Sequence, residues 1–270
     1  MATTSESVKS ADGTTIDYET TGTGPAIIMV YGASGTRSYP SWIELANALA
    51  PDFTVYSYER RGRGASGDTA PYAVQREVED IEALIDAAGG TAFLYGVSSG
   101  AVLALEAASA LPDKVEKVVL YEPPFIVDDS HAPLPDDYVE RLDAAIAAGD
   151  PSKALEIFFT DAFGMPAEYV EPMKTEPWWD ETTKVAHTIA YDGRIMGSTM
   201  SGKPLPEGAW SGATMPVLVL VGGNSEPFFH SGGQAAADVL PNARFDVLAG
   251  QDHDAKADAL APALKGFFTD

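Results

Sequence analysis

The sequence feature that most constrains the fold is a glycine–serine pattern between an apolar run and an alanine- and leucine-rich segment. The apolar residues 92–95 lead into Gly96-Val97-Ser98-Ser99-Gly100, and small and apolar residues then continue to about residue 110. This order predicts a strand, a sharp turn and a helix, with Ser98 at the tip of the turn. Glycines beside the serine permit a close reversal of the chain, and the N–H groups that begin the helix would face a negative charge forming beside the hydroxyl. The alternative is a glycine-rich turn without chemistry.

Composition narrows the chemistry that this serine can support. The chain of 270 residues contains no cysteine, and its four histidines lack the spacing of a zinc site, so we expect neither a metal nor a cofactor. The formal net charge of −23 argues against nucleic acid and anionic membranes as partners. The apolar runs are no longer than strands and residues 1–6 do not resemble a signal peptide, so a cytoplasmic location is expected. We expect a small-molecule substrate and a monomer or homodimer.

Apolar segments of strand length alternate with helix-like segments through most of the chain, which predicts an α/β fold. A hairpin around Asp12-Gly13 precedes runs that are apolar enough to be buried on both faces of a parallel sheet. We expect a mostly parallel eight-stranded sheet with helices on both faces. The predicted strands are residues 8–10, 15–18, 26–31, 54–58, 92–95, 115–121, 215–221 and 244–248. The predicted helices outside the middle of the chain are residues 42–50, 74–87, 99–110, 233–240 and a last helix that ends near 268.

The middle of the chain, residues 126–209, interrupts this alternation. It offers no strand candidate, but it contains helix-like segments at 136–148, 151–163 and 181–191 and many aromatic and methionine residues. This pattern predicts a helical cap inserted into a core domain formed by residues 1–125 and 210–270. Such an insertion packs its own core and also lines an apolar pocket. The side chains that we expect to contact a substrate are Tyr31, Phe125, Trp178 and Trp179.

A histidine in the last loop is the predicted base for the serine. Ligands of parallel α/β sheets bind at the carboxyl ends of the strands, so the loops that follow the strands should open on one edge. His253 lies in the last of these loops, and a nucleophilic serine needs such a base within hydrogen-bond reach. His131 and His187 fall in the insertion and His230 at a helix start, where we expect surface or structural roles.

Together these residues resemble the α/β-hydrolase fold family over essentially the whole chain. The resemblance depends on the serine pattern after a strand, on Tyr31-Gly32 where the family often has His-Gly, on Arg61-Gly62-Arg63-Gly64, and on His253. It implies a nucleophilic serine, a histidine base, and an oxyanion hole formed by the backbone N–H groups of Ala33 and Ser99. A serine rather than an aspartate at this turn argues against haloalkane dehalogenase and epoxide hydrolase chemistry.

The third member of the expected triad is where the sequence departs from the family. Most relatives have an aspartate after the strand that ends here at Val221, and the equivalent position is about Ser225. Two carboxylates could replace it. Glu226 is displaced by one residue, and Glu122 follows the strand after the serine turn. We favour Glu122, because a glutamate that closes an apolar strand is costly to bury without a partner such as the histidine.

Glu122, the Gly-x-Ser-Ser-Gly-Ala pattern and the tryptophans of the insertion also resemble the lactonases that open the macrocycle of zearalenone. The sequence therefore predicts a cofactor-free serine hydrolase that cleaves an ester or a lactone of a bulky apolar substrate. Carbon–carbon bond hydrolysis and peracid formation on the same residues are the enzymatic alternatives. A ligand-binding module with a vestigial triad is the alternative from a different class.

Overall fold

An eight-stranded, mostly parallel sheet runs through the computed structural model, which describes residues 4–270. The strands are β1 (Thr4–Lys9), β2 (Thr15–Gly22), β3 (Ala26–Val30), β4 (Thr54–Tyr58), β5 (Ala92–Val97), β6 (Val115–Tyr121), β7 (Val217–Gly222) and β8 (Ala243–Leu248). They lie in the order β1-β2-β4-β3-β5-β6-β7-β8. β2 is antiparallel to both of its neighbours, and the remaining pairs are parallel. The predicted hairpin and the predicted α/β fold are confirmed.

Helices cover both faces of this sheet. They are α1 (Pro40–Leu49), α2 (Val74–Ala87), α3 (Ser99–Ala110), α4 (Tyr138–Ala147), α5 (Pro151–Ile157), α6 (Ala167–Met173), α7 (Pro177–Thr183), α8 (Ile189–Met196), α9 (Pro227–Val239) and α10 (Ala257–Thr269). A π-helical turn at Phe158–Ala162 follows α5, and a 3-10 turn at Ala186–Thr188 precedes α8. None of the helices within residues 4–270 is long and apolar enough to cross a membrane.

Two hydrophobic layers form because alternate residues of the central strands face opposite sides of the sheet. Ile28 of β3 and Leu94 of β5 belong to the layer that packs on α2, α3 and α9. Their neighbours Ile27 and Tyr95 belong to the layer that packs on α1 and α10. The central strands are therefore buried on both faces, as their continuous apolar sequences predict.

The helical insertion between β6 and β7 has a third hydrophobic cluster of its own, formed by residues of α4, α5, α6, α7 and α8. The single helix predicted at 181–191 is wrong: α7 ends at Thr183 and α8 begins at Ile189. Pro177 starts α7 earlier than expected, because proline fits the first turn of a helix. Met200 and Leu205 pack into the core beside the sheet. The division of the chain at residues 126 and 209 therefore stays a prediction.

The chain passes very close to itself where β5 turns into α3. A Cβ atom on Gly96 would lie 2.4 Å from the carbonyl oxygen of Gly100. A Cβ atom on Gly100 would lie 2.3 Å from the carbonyl oxygen of Val30. Backbone atoms cannot move away as the end of a side chain can, so both positions require glycine.

This close approach predicts that Gly100→Ala lowers the free energy of unfolding by about 3 kcal/mol or more, because the added methyl group overpacks the turn. Gly266→Ala is the matched control, because nothing lies within 4 Å of a Cβ atom at Gly266 in α10. That control should be neutral or stabilising by up to about 1 kcal/mol. Urea denaturation followed by circular dichroism measures both changes. Equal stabilities of the two variants would contradict the steric explanation.

Candidate active site

Ser98 occupies the tip of the turn between β5 and α3 in a strained backbone conformation. Its φ is 55° and its ψ is −132°, a region that residues with a side chain rarely adopt. The Ser98 N–H donates to the carbonyl of Tyr121 at 3.0 Å, and its carbonyl accepts from the N–H of Ala101 at 2.9 Å. Neighbouring structure on both sides thus holds the strained residue, and Ser98 lines a cavity between the sheet edge and the helical insertion.

A histidine hydrogen-bonded to a buried carboxylate lines the same cavity as this serine. Nδ1 of His253 is 2.7 Å from Oε2 of Glu122, whose side chain is fully buried. The other carboxylate oxygen, Oε1, accepts from the N–H of Gly222 at 2.7 Å and from the hydroxyl of Ser225. Both oxygens of the buried carboxylate are therefore satisfied, as a charge in such a place requires. Because Glu122 occupies Nδ1, the Nε2 atom is the ring nitrogen available to the cavity.

The serine that replaces the expected aspartate has a defined place in this arrangement. Ser225 lies in the loop after β7 and points its hydroxyl at Glu122 rather than supplying a carboxylate. Of the two glutamates that the sequence left open, Glu122 bonds to His253. Glu226 lies immediately before α9 and lines the cavity.

The loop that carries His253 is fixed by contacts from two other elements. The Tyr121 hydroxyl at the end of β6 donates to the carbonyl of Asp252. The ring of Phe229, from α9, stacks on the His253 ring with 4.9 Å between centroids and 23° between planes. These contacts set the position and the plane of the imidazole before any ligand binds.

The two residues expected to form the oxyanion hole both line the cavity with Ser98. Ser99 is the first residue of α3, where N–H groups have no acceptor within the helix and the helix dipole is positive. Ala33 lies in the loop after β3, and Nη1 of Arg63 fixes that loop by donating to the carbonyls of Gly32 at 2.6 Å and Gly35 at 3.2 Å. Both elements therefore border the cavity together with Ser98.

A buried carboxylate of the insertion reaches the same place. Asp192 in α8 accepts hydrogen bonds from Nη1 of Arg60 at 2.6 Å, Nη2 of Arg63 at 2.7 Å and the Ser99 hydroxyl at 2.8 Å. Burial by itself raises the pKa of Asp192, but the two guanidinium groups outweigh it and hold the pKa below its usual value. Arg60 also makes a bidentate pair with Glu77, with both distances 2.7 Å. We call Asp192, Arg60, Arg63 and Glu77 the buried ion cluster.

The cavity that these elements enclose has a volume of about 440 Å³. Its apolar lining comes from the insertion and from α9: Leu134, Tyr138, Phe158, Ala162, Phe163, Met196, Met200, Phe228 and Phe229. Its acidic lining consists of Asp192, Glu226, Asp252 and Asp254. Among the lining residues described for 4–270 there is no lysine or arginine. Within the same range no group of three or more histidine, aspartate or glutamate residues is arranged to hold a metal ion.

The side chains that we expected to contact a substrate lie elsewhere. Tyr31 is fully buried against the Trp42 ring, with 4.4 Å between centroids, and Phe125 is fully buried and stacked on Trp210. Trp179 belongs to the core of the insertion. Its Nε1 donates to the Ser152 hydroxyl at 2.9 Å. Trp178 is 41% exposed and is not among the residues that line the cavity. Packing inside the fold accounts for these aromatic residues.

Little in the sequence pattern identifies the apolar residues that do line the cavity. Phe228 and Phe229 follow Pro227, which starts α9 at the edge of the sheet, whereas the sequence predicted that helix only from residue 233. Phe158 is the first residue of the π-helical turn, and Phe163 follows its last residue. The wider repeat of a π-helix changes which residues share a face. His131, expected to be structural or on the surface, also lines the cavity, and its ring lies 4.6 Å from that of Phe228.

Known proteins that are similar to this chain include several hydrolases. A crystal structure of an alpha/beta hydrolase from Sphaerobacter thermophilus DSM 20745 is 44% identical to this chain. It superposes with a TM-score of 0.88 over 97% of this chain and 100% of that one. The uncharacterized hydrolase YraK of Bacillus subtilis is 32% identical over 115 residues, which are 41% of this chain and 42% of that protein. The lipase LipV of Mycobacterium tuberculosis is 29% identical over 174 residues, which are 64% of this chain and 63% of that protein.

The matched part is less than two thirds of the length of YraK and of LipV. What their names say about a reaction therefore applies to this chain only as a proposal. The family comparison covers much more. The model of the alpha/beta hydrolase family matches residues 29–263, which include Ser98, Glu122 and His253. On this match, and on the sheet and serine turn described above, the chain belongs to the alpha/beta hydrolase family.

Proposed function

We propose that this protein is a cofactor-free serine hydrolase that cleaves a carboxylic ester or lactone through an acyl-enzyme on Ser98. The observation that carries the proposal is the hydrogen bond from the buried Glu122 to His253, a histidine that lines the same cavity as Ser98. A serine, a histidine and a carboxylate in this relation are the parts of a nucleophilic triad. The lipase LipV, which is similar over part of the chain, is a relative whose name fits this reaction class.

The reaction proceeds in two steps on these groups. Nε2 of His253 takes the hydroxyl proton as Oγ of Ser98 bonds to the substrate carbonyl carbon, and the N–H groups of Ala33 and Ser99 stabilise the oxyanion. The carbon–oxygen bond to the leaving group then breaks, and the imidazolium gives its proton to that oxygen. Water, deprotonated by Nε2 of His253, attacks the acyl carbon. The bond from that carbon to Oγ then breaks, Oγ takes the proton back from the imidazolium, and the acid is released. Glu122 stabilises the imidazolium in both steps and holds the neutral ring in the tautomer with hydrogen on Nδ1.

The cavity lining indicates an uncharged apolar substrate. Aromatic and methionine side chains form most of the apolar part of the wall. Glu226, Asp252 and Asp254 supply negative charge, without a lysine or arginine among the described lining residues. Carboxylates of substrate and protein repel each other, most strongly where water is excluded. A substrate that carries its own carboxylate near the scissile bond is therefore disfavoured.

The same observations weigh against the alternative of a binding module with a vestigial triad. That alternative depended on the missing aspartate after β7, and the bond from Glu122 to His253 replaces the function of that aspartate. Carbon–carbon bond hydrolysis and peracid formation use the same three groups, and product analysis separates them from ester cleavage.

Ser98→Ala should reduce hydrolysis of a chromogenic short-chain ester by at least about 10³-fold, because the nucleophile is lost. A fluorophosphonate probe should label Ser98 in the unchanged protein, and mass spectrometry of the labelled peptide identifies the site. Circular dichroism checks that the variant is folded. Labelling of another serine, or unchanged turnover of Ser98→Ala, would refute the assignment.

Glu122→Gln should lower kcat by about 10³- to 10⁴-fold, since an amide neither stabilises the imidazolium nor fixes the correct tautomer. Glu226→Gln is the matched control, because Glu226 lines the same cavity while Glu122 is the glutamate bonded to His253. We expect it to change kcat by less than about threefold. Steady-state kinetics on one ester measure both variants. A larger loss of kcat in Glu226→Gln than in Glu122→Gln would show that Glu226, and not Glu122, is the acid.

Charge selection is tested with 4-nitrophenyl hexanoate and its analogue that ends in a carboxylate. We expect kcat/KM to be at least about tenfold higher for the neutral ester, because the acidic lining repels the anion. The double variant Glu226→Gln/Asp254→Asn should reduce that preference, and added salt should reduce it partly. Equal kcat/KM values for both esters in the unchanged protein would contradict the proposed substrate class.

A further inference from the structure

The buried ion cluster connects the helical insertion to both halves of the expected oxyanion hole. Asp192 touches the Ser99 side chain directly at 2.8 Å. Through Arg63 it reaches the Gly32 carbonyl, with bonds of 2.7 and 2.6 Å, and so the loop that carries Ala33. Through Arg60 it reaches the Tyr31 carbonyl, where the arginine donates at 3.1 Å. One carboxylate of the insertion is thus one or two hydrogen bonds from each element that supplies an oxyanion donor.

The geometry points to Asp192 as a positioning residue: we propose that it sets the distance between the Ala33 and Ser99 N–H groups and thereby the strength of the oxyanion hole. This inference rests on the proposed function, because an oxyanion hole matters only if Ser98 attacks a carbonyl. Asp192 does not take part in proton transfer. It acts through Arg63 and Ser99, and it lines the cavity from α8 beside Gly193 and Met196.

The hydrogen bonds explain why a single residue can control this distance. Asp192, Arg60 and Arg63 are 4%, 1% and 1% exposed, so no bulk water can replace a lost partner. Donors of an oxyanion hole act only when they are fixed in advance at the place where charge develops. A loop after β3 and the first turn of α3 are separate elements, and Asp192 is the group that bonds to one and, through one arginine, to the other.

A second buried aspartate–arginine pair in the same protein provides a control for a purely structural role. Asp80 in α2 makes a bidentate pair with Arg61, at 2.7 and 2.8 Å, and is 1% exposed. Arg61 contacts Asp12 and the carbonyl of Arg76, and none of its hydrogen bonds described for residues 4–270 reaches the 32–35 loop or Ser99. Asp80→Asn and Asp192→Asn therefore both remove a buried negative charge that is paired with arginine. They differ because only Asp192 is connected by hydrogen bonds to the expected oxyanion hole.

The test compares Asp192→Asn with Asp80→Asn in the full-length protein. We expect both to lower the urea midpoint, but only Asp192→Asn to lower kcat by roughly tenfold to a hundredfold with KM changed less than about threefold. The rate of Ser98 labelling by a fluorophosphonate should fall in parallel, because the phosphoryl oxygen occupies the oxyanion hole. Asp80→Asn should keep kcat and the labelling rate within about threefold of the unchanged protein.

If Asp192→Asn does not fold, Ser99→Ala replaces it, because this variant removes only the hydroxyl bond to Asp192 and keeps both ion pairs and the Ser99 N–H. It should lower kcat and the labelling rate by several-fold without a change in KM. Unchanged kcat and labelling in the folded variant, or equal losses in Asp80→Asn, would overturn the positioning role while leaving the proposed function intact. An unchanged protein whose Ser98 is not labelled at all would overturn both.

Discussion

Much of this structure depends on one buried carboxylate, Asp192, held between the guanidinium groups of Arg60 and Arg63. Removing one partner from such a cluster typically costs about 3–5 kcal/mol, because the remaining charges stay buried and unpaired. Asp192 and these two arginines come from two parts of the chain that are far apart in sequence. The insertion is therefore bonded to the loop after β4, and the same arginines donate to the carbonyls of Tyr31 and Gly32, which precede Ala33.

The site itself follows from how parallel strands end. β3, β5, β6, β7 and β8 present their carboxyl ends at one edge of the sheet, so the segments that follow these five strands meet around one cavity. The rigid elements below them fix Ser98 after β5 and Glu122 after β6. His253 is carried by the loop between β8 and α10, and contacts from β6 and α9 hold that loop in place.

The sheet and the serine turn were predictable because each depends on local rules. Runs that are apolar on both faces identify buried parallel strands, and the bounds of β4, β6, α2 and α3 agree with the sequence prediction at both ends. A Cβ atom on either glycine of the turn would lie less than 3 Å from backbone atoms, so only glycine fits. This requirement can be read directly from the sequence.

The wall of the cavity was not predictable in the same way. Nothing in the composition of the insertion separates Trp179, which fills its core, from Phe158, which faces the cavity, because both are large and apolar. The π-helical turn that decides the orientation of Phe158 and Phe163 depends on tertiary packing. Asp192 was equally hidden, since an aspartate in a helix is ordinarily a surface residue and its arginine partners lie more than a hundred residues earlier.

The bond between Ser225 and Glu122 means that these two positions are chemically complementary. A carboxylate at 225 would have no hydrogen to donate to Oε1 and would face the Glu122 carboxylate at close range. The hydroxyl of Ser225 instead donates a hydrogen bond to that oxygen. A search of the loop after β7 alone would find no aspartate to pair with His253, although Glu122, at the end of the neighbouring strand, makes that hydrogen bond.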